Sequence, residues 1–421
     1  MHLLHVNAAY KPFIGGAEVY TQTISERFVR DRHAVKVVTT DAVEVEYFWH
    51  PHRQRTATGT ETLNGVEITR CAVKHLPLAP WSFYLLRRLT TGLATWSSSG
   101  RLLPVFRFLA PLMPSVPELE ATLSNLEGPI DIVHGVNIAL EWPLLAAWHF
   151  ARSRGAPFVT TPFVHVGQHG RSDVVKHYVM PHQLEALRDA EAVIVQTDIE
   201  KRALAELGIS EDRLHRLGMG VDLASLEGGS AQRFRARHTL DGSIVTFLGV
   251  VTYDKGSFHL VQAMQQIWEQ DARVHLVIAG PCVGQFERFY RRLPTAVRDR
   301  ILLLGPVVGQ EKLDLLAATD VFALPSRIDS FGIVYLEAWA YCKPVIGAHA
   351  GGVPDVISDG VDGVLVEFGD VAGLAGAIQR LLGDPAYRER LGRSGRAKVE
   401  RQYTWDTIYT RLSALYERLL D

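Results

Sequence analysis

Two carboxylates, Asp329 and Glu337, flank a Phe331–Gly332 pair in the stretch PSRIDSFGIVYLEAWAYCKPVIG. The apolar run from Val321 to Leu324, stopped by Pro325, reads as a buried strand of a parallel sheet. After a loop, Ile333, Val334, Leu336, Trp339 and Ala340 follow helical spacing, with Ser330 as the expected cap and Lys343–Pro344 as the stop before the next strand at Val345–Ile346. A loop in a strand–loop–helix–strand unit lies at the carboxyl end of the sheet. There the free amides of Phe331, Gly332 and Ile333 can receive an anion. Asp329 then rims an anion site, and Glu337 lies within reach of whatever the anion carries. The plainer alternative is a capping aspartate and a solvated glutamate.

Other segments offer groups to the same kind of ligand. Gly15–Gly16 places two glycines where a loop enters a helix, so backbone amides can approach a phosphate without a Cβ in the way. Lys255–Gly256 follows another strand, where an ammonium can neutralise a diphosphate leaving group. His165, in TTPFVHVGQHG, follows the strand Phe158 to Thr161 and also lies at a carboxyl end. His169 stands four residues on, but the intervening Gly167 disfavours a helix and no carboxylate or cysteine is near, so no metal is expected. No GxGxxG is found, which argues against an NAD or FAD oxidoreductase.

These groups need a frame, and the hydrophobic pattern supplies one twice. A strand from Leu3 to Asn7, the glycine loop, a helix with Tyr20, Ile24 and Phe28 on one face, and a strand from Val35 to Thr40 form a βαβ opening. Further strands are expected at Ile130 to Val133 and Val193 to Gln196. A second opening runs from the strand Ile244 to Gly249 through Lys255–Gly256 and a helix ending at Trp268 to the strand Val274 to Ala279. Val221 to Gly242 between them reads as a linker or polar surface helix, and Tyr409, Leu412, Leu415, Tyr416 and Leu419 mark a terminal helix. The expected fold class is α/β with two doubly wound, Rossmann-like domains.

At 421 residues the chain can bury two or three cores. Its 44 basic and 46 acidic residues nearly cancel, which gives no overall field for nucleic acid. Cys71, Cys282 and Cys342 are scattered, arguing against a disulfide framework or a zinc or iron–sulfur site and fitting a reducing cytoplasm. The N-terminus reads as a first strand rather than a signal peptide, and no apolar run is long enough to span a bilayer. From Ile68 to Pro117 there is no acidic residue, while Arg70, Lys74, Arg87, Arg88, Arg101 and Arg107 mingle with Trp81, Phe83, Tyr84, Trp96, Phe106 and Phe108. That mixture suits contact with an anionic membrane surface, the alternative being an ordinary helical hairpin over the sheet.

The stretch from Pro325 to Gly347 resembles the signature of the retaining GT-B glycosyltransferases of family four, P-S-x2-E-x-F-G-x4-E-A-x-A-x-G-x-P-V. GGAE at 15–18, GVD at 220–222, FLGVVTYDKG at 247–256, AGGVPDVI at 350–357 and DGVDGVLV at 359–366 support it in order along the chain. The resemblance implies two Rossmann-like domains facing across a cleft. Residues 1–220 would form the acceptor domain, with 68–117 as a basic and aromatic insertion; 221–400 would form the nucleotide-sugar donor domain; 401–421 would be a helix returning to the first domain. It also implies that Asp329 contacts hydroxyls of the transferred sugar, that Phe331, Gly332 and Ile333 present amides to sugar and diphosphate, and that Glu337 holds the ribose hydroxyls. Lys255 would lie on the diphosphate, with Gly15 and Gly16 approaching from the other domain and His165 beside the reacting carbon.

By this resemblance the activity is metal-independent hexosyl transfer with retention, from a UDP- or GDP-linked sugar to an acceptor hydroxyl, with no further cofactor. The basic and aromatic block favours a lipid-linked or cell-envelope glycan as acceptor, and a cytoplasmic protein peripheral to the inner face of the membrane. Three departures from the pattern stand out. Asp329 replaces the usual glutamate, Val250 stands where an arginine is usual, and Cys342 replaces a glycine. Arg327 is the candidate substitute for the missing cation. The alternatives are a nucleotide-sugar epimerase on the same fold, or a non-catalytic protein that binds glycan or membrane.

Overall fold

Short β-branched runs bounded by glycine, proline or charge become the strands of two separate sheets in the computed structural model, which describes residues 1–96, 102–167, 175–271 and 273–421. The chain divides into two units. The first comprises the chain up to His165, a stretch ending at Leu217 and the final segment Tyr409–Asp421. The second holds Gly218–Ile408 and the short stretch that begins at Val166.

In the first unit the strands are β1 (His2–Asn7), β2 (Ala34–Thr40), β3 (Gly59–Leu63), β4 (Val66–Cys71), β5 (Ile132–Val136), β6 (Phe158–Thr161), β7 (Ala192–Val195) and β8 (Leu214–Arg216). They lie in the order β3-β4-β2-β1-β5-β6-β7-β8, parallel throughout except for the β3–β4 hairpin. The order reverses at β1 and β5, the place where a doubly wound sheet leaves a crevice. Helix α1 (Gly16–Arg30) follows β1 and buries Tyr20, Ile24 and Phe28, as its spacing predicts. The helix Trp405–Leu420 contributes its last turns to this unit. Tyr416 stacks on Phe28 at 5.1 Å, and its hydroxyl meets Nδ1 of the buried His134 at 2.6 Å.

Two more helices belong to the block without acidic residues, α2 (Trp81–Trp96) and α3 (Leu103–Leu109); Arg101 lies outside the described residues. The block's basic residues do not all face outward. Arg70 is buried and donates to Glu61, and Arg87 turns inward to the fully buried Glu141. Arg107 pairs with Glu185. Among the described residues no helix is long and apolar enough to cross a membrane.

The second unit carries β9 (Ser243–Leu248), β10 (Val274–Ala279), β11 (Ile301–Gly305), β12 (Val321–Ala323), β13 (Val345–Ala348) and β14 (Gly363–Val366). All pairings are parallel, in the order β11-β10-β9-β12-β13-β14. The order reverses between β9 and β12, which puts the loops after these two strands at the switch point. The stretch read as a linker or polar helix holds a short helix, Ala231–His238, capped by the Ser230 side chain.

Candidate functional site

The loops after β9 and β12 come together because Gly256 lets them. Its φ is +80°, and a Cβ there would stand 2.4 Å from the Pro325 carbonyl oxygen, so only glycine fits the close approach. Lys255, just before it, then lies beside Asp329, with Nζ 2.5 Å from Oδ1. Both side chains are largely buried.

Helix Ile333–Ala340 starts at the same place. The expected cap, Ser330, does not cap it; the N-cap is Gly332, with φ +84° and no side-chain cap bond. A Cβ at Gly332 would meet the Tyr335 ring at 2.4 Å, so the chain enters the helix through a conformation closed to other residues. The uncapped start leaves its first amides, Ile333 among them, without intrahelical acceptors. Phe331 is buried edge-on against Tyr403 at 5.4 Å, and the fully buried Tyr335 hydroxyl donates to the Leu324 carbonyl at 2.6 Å. These contacts pin the helix start to the end of β12. Burial, followed by the nearby Asp329 carboxylate, holds the Tyr335 phenol well above its ordinary pKa.

Glu337 lies one turn into this helix. Its Oε1 accepts from Lys312 Nζ at 2.7 Å, while Oε2 is buried without a hydrogen-bond partner among the described residues. A buried carboxylate oxygen left in this way is costly unless a ligand hydroxyl fills it. Nothing in the sequence signalled Lys312, whose meeting with Glu337 is set by the fold.

Arg327 is already engaged. Its Nε and Nη2 lie 2.8 and 2.6 Å from Asp254 Oδ1, and its guanidinium lies over the rings of Tyr253 (5.5 Å) and Phe368 (4.9 Å). Asp254, the aspartate of the TYDKG stretch, is therefore a site residue that the sequence showed only as part of a motif. The second unit thus brings together Lys255, Asp329, Phe331, Gly332, Ile333, Glu337 and Arg327 on the loops and helix that follow two adjacent strands.

Gly15, Gly16 and His165 belong to the first unit. Gly15 is the extended N-cap of α1, and Glu18 occupies the space beside it: a Cβ on Gly15 would meet Glu18 Oε2 at 2.2 Å. Burial raises the Glu18 carboxyl to a pKa of about 7. His165 packs its ring against Tyr178 at 5.1 Å, and His169 lies outside the described residues. The backbone before His165 is held by a residue from a helix further along the chain. Glu200, fully buried, accepts from the Val164 and Gln196 amides at 2.7 Å each, and burial raises its pKa to about 7. The signal was a T-x-x-E capping box at Thr197–Glu200. Thr197 does accept from the Glu200 amide, but the Glu200 carboxylate spans two strand ends instead of closing the box.

Sequence comparison matches residues 15–220 to the Glycosyl transferase 4-like domain and residues 230–398 to the Glycosyl transferases group 1 family. A GDP-mannose-dependent monoacylated alpha-(1-6)-phosphatidylinositol monomannoside mannosyltransferase of Corynebacterium glutamicum is 33% identical over 220 residues, covering 49% of this chain and 57% of the relative. A D-inositol 3-phosphate glycosyltransferase of Xylanimonas cellulosilytica is 34% identical, with 54% and 57% covered. The chain thus spans little more than half the length of these curated relatives. Among solved structures, sucrose-phosphate synthase of Thermosynechococcus elongatus has a TM-score of 0.71 at 20% identity, covering 100% of this chain and 99% of that one. HepE of Anabaena in complex with UDP has a TM-score of 0.70 at 17% identity, covering 99% and 100%. At these identities the likeness shows the fold, the two-domain GT-B architecture.

Proposed function

We propose that this chain, which belongs to the glycosyl transferases of group 1, moves a hexosyl unit from a UDP- or GDP-linked sugar to an acceptor hydroxyl, with retention at the reacting carbon. The observation that carries the reading is the meeting of Lys255, Asp329 and the uncapped helix start at Gly332 around the β9–β12 switch point. The orphaned Glu337 Oε2 lies one helical turn away.

Each group has a task in this reaction. The Lys255 ammonium and the first amides of the helix stabilise the charge that develops as the bond from sugar to diphosphate breaks. Asp329 receives sugar hydroxyls and Glu337 the ribose hydroxyls. The acceptor hydroxyl attacks from the face the diphosphate leaves, and the departing oxygen is the nearest base for its proton. No metal or cofactor enters this scheme. Gly15, Gly16 and His165 take the parts that the family resemblance gives them.

The acceptor we propose is a lipid-linked or cell-envelope glycan. Two lines support it: the basic and aromatic block at 68–117, and a phosphatidylinositol-linked substrate in the name of one relative. A thermal-shift panel with UDP, GDP, ADP and their sugar conjugates tests the donor, since a ligand bound only by the native state raises its melting point. One nucleotide and its conjugate should stabilise the protein, and Lys255→Ala and Glu337→Ala should erase the shift. No shift at millimolar ligand would sink the transferase reading in favour of a non-catalytic binding protein.

A further inference from the structure

Helix α2 turns a row of large apolar side chains outward and several polar ones inward. Facing the first unit's interior are Phe83, stacked on Trp49 at 5.5 Å, then Arg87, Thr90 and Thr91. Arg87 donates to the His177 carbonyl at 2.9 Å and pairs with Glu141 at 3.5 Å, while the fully buried Thr90 hydroxyl lies 3.8 Å from the Met113 sulfur. On the outward side are Trp81 (76% exposed), Tyr84 (44%), Leu85 (60%) and Leu89 (53%), with exposed Arg88 among them. Their positions follow the spacing of one helical stripe. Leu78, in the turn that leads into the helix, is 86% exposed. A helix that borders water shows the reverse arrangement, with charge outward and apolar residues inward. Helix α3 adds exposed apolar side chains of its own: Phe106 is buried against His182, while Phe108 is 78% and Val105 41% exposed.

We infer that the outward face of α2 is a docking surface for an anionic lipid bilayer, with the helix lying in the plane of the interface. Three observations select a bilayer over a second copy of the chain. A tryptophan and a tyrosine sit on the stripe with leucines, the mixture that partitions to the headgroup level. No carboxylate occurs between Ile68 and Pro117, so the stripe itself carries no charge that repels lipid phosphates. A contact between copies through this stripe would find no acid in it to receive Arg88, whereas an anionic headgroup satisfies that charge. The inward Arg87–Glu141 pair fixes the rotation of the helix, so the apolar stripe stays presented without a bilayer. This deepens the lipid-linked acceptor reading but is read without donor or acceptor, so either can fail alone.

The test is co-sedimentation of the full chain with phosphatidylcholine vesicles, with and without phosphatidylglycerol, beside light scattering of the protein alone. The wild type should sediment with anionic vesicles and lose binding as salt rises. Trp81→Ser/Leu85→Ser/Leu89→Ser should weaken partition about a hundredfold, on the scale of roughly 1 kcal/mol for each half-inserted side chain. Arg88→Ala should weaken binding to anionic vesicles about fivefold, the effect of one basic side chain near such a surface, and leave neutral vesicles unaffected. Because all four side chains are exposed, the variants should keep the wild-type melting temperature and nucleotide shift. Absent vesicle binding, or equal binding by wild type and triple variant, would overturn the inference. So would a dimer abolished by the triple substitution without any vesicle binding, since the face would then be a self-contact.

Discussion

Lys255 and Asp329, separated by 74 residues, meet at 2.5 Å where the loops after β9 and β12 converge. The cation proposed for the diphosphate is thus already held by a carboxylate, and a diphosphate bound there as proposed would compete with Asp329 for it. Asp329→Asn keeps the shape and removes the competitor. Affinity for the free nucleoside diphosphate should rise about fivefold, on the scale of one charge-assisted hydrogen bond. Turnover should fall if Asp329 receives the sugar hydroxyls as proposed, because asparagine offers them one neutral oxygen in place of a carboxylate. Calorimetric titration beside initial rates checks the pair of effects; weaker diphosphate binding in the variant would show that Asp329 does not restrain Lys255 in this way.

The family pattern loses a cation at Val250, and Arg327 is held by Asp254, four residues beyond Val250 on the same loop, and by two rings. Arg327→Ala should weaken nucleotide binding about tenfold or more if it lends charge to the diphosphate. Arg327→Lys should restore little, because an ammonium cannot replace a planar guanidinium lying over Tyr253 and Phe368. Unchanged affinity in Arg327→Ala would limit the residue to bracing the loop.

Glu337 makes a prediction that depends on the ligand. Its unfilled Oε2 suits a ribose hydroxyl. Glu337→Gln should therefore cost the ribonucleoside diphosphate roughly tenfold in affinity, the scale of a hydrogen bond to a charged group. The 2′,3′-dideoxy analogue should bind wild type and variant alike. Equal losses for both ligands would place the effect in the Lys312 pairing instead.

The frame of the site was legible in the sequence because periodicity and breakers are local. Phe158–Thr161 and Val274–Ala279 emerge with the predicted bounds, and the strand, loop and helix around Phe331 lie where the apolar runs put them. The cap falls at Gly332 rather than at Ser330: a hydroxyl is the commoner signal, while Gly332 works through a left-handed conformation that composition does not reveal. The partners were hidden for another reason. Lys312 for Glu337, Asp254 for Arg327 and Glu141 for Arg87 are joined by sheet order rather than by spacing. The basic block misled in part for the same cause, since Arg70 and Arg87 face inward and the exposed apolar row carries the surface argument.

Glu200 bridges the ends of two strands just before His165, so it acts as a positioning residue for that loop. Glu200→Gln keeps one acceptor and turns an amide donor toward the other backbone N–H. If His165 works at the reacting carbon, kcat should fall at least about tenfold while the donor KM stays within a factor of two or so. A rise in KM at constant kcat would assign Glu200 to ligand binding rather than to the His165 backbone.

Glu18 carries a prediction about pH with a definite sign. Its folded pKa, about 7, lies above the ordinary 4.5 because burial penalises the charged form. Between those values the folded protein holds a proton that the unfolded chain releases. The stability this group allows is therefore present below about pH 4.5 and lost as pH rises through 7, a few kcal/mol by linkage. Glu18→Gln removes the ionisation and keeps an oxygen for the residue's own backbone amide. Its melting temperature should exceed that of the wild type at pH 8, and the gap should shrink steadily toward pH 5. His5 has the opposite sense, since burial lowers its pKa from 6.5 to about 3, so it costs stability as pH falls through that range in wild type and variant equally. The difference between the two proteins isolates Glu18, and a gap that stayed constant from pH 5 to 8 would show that its carboxyl does not titrate there.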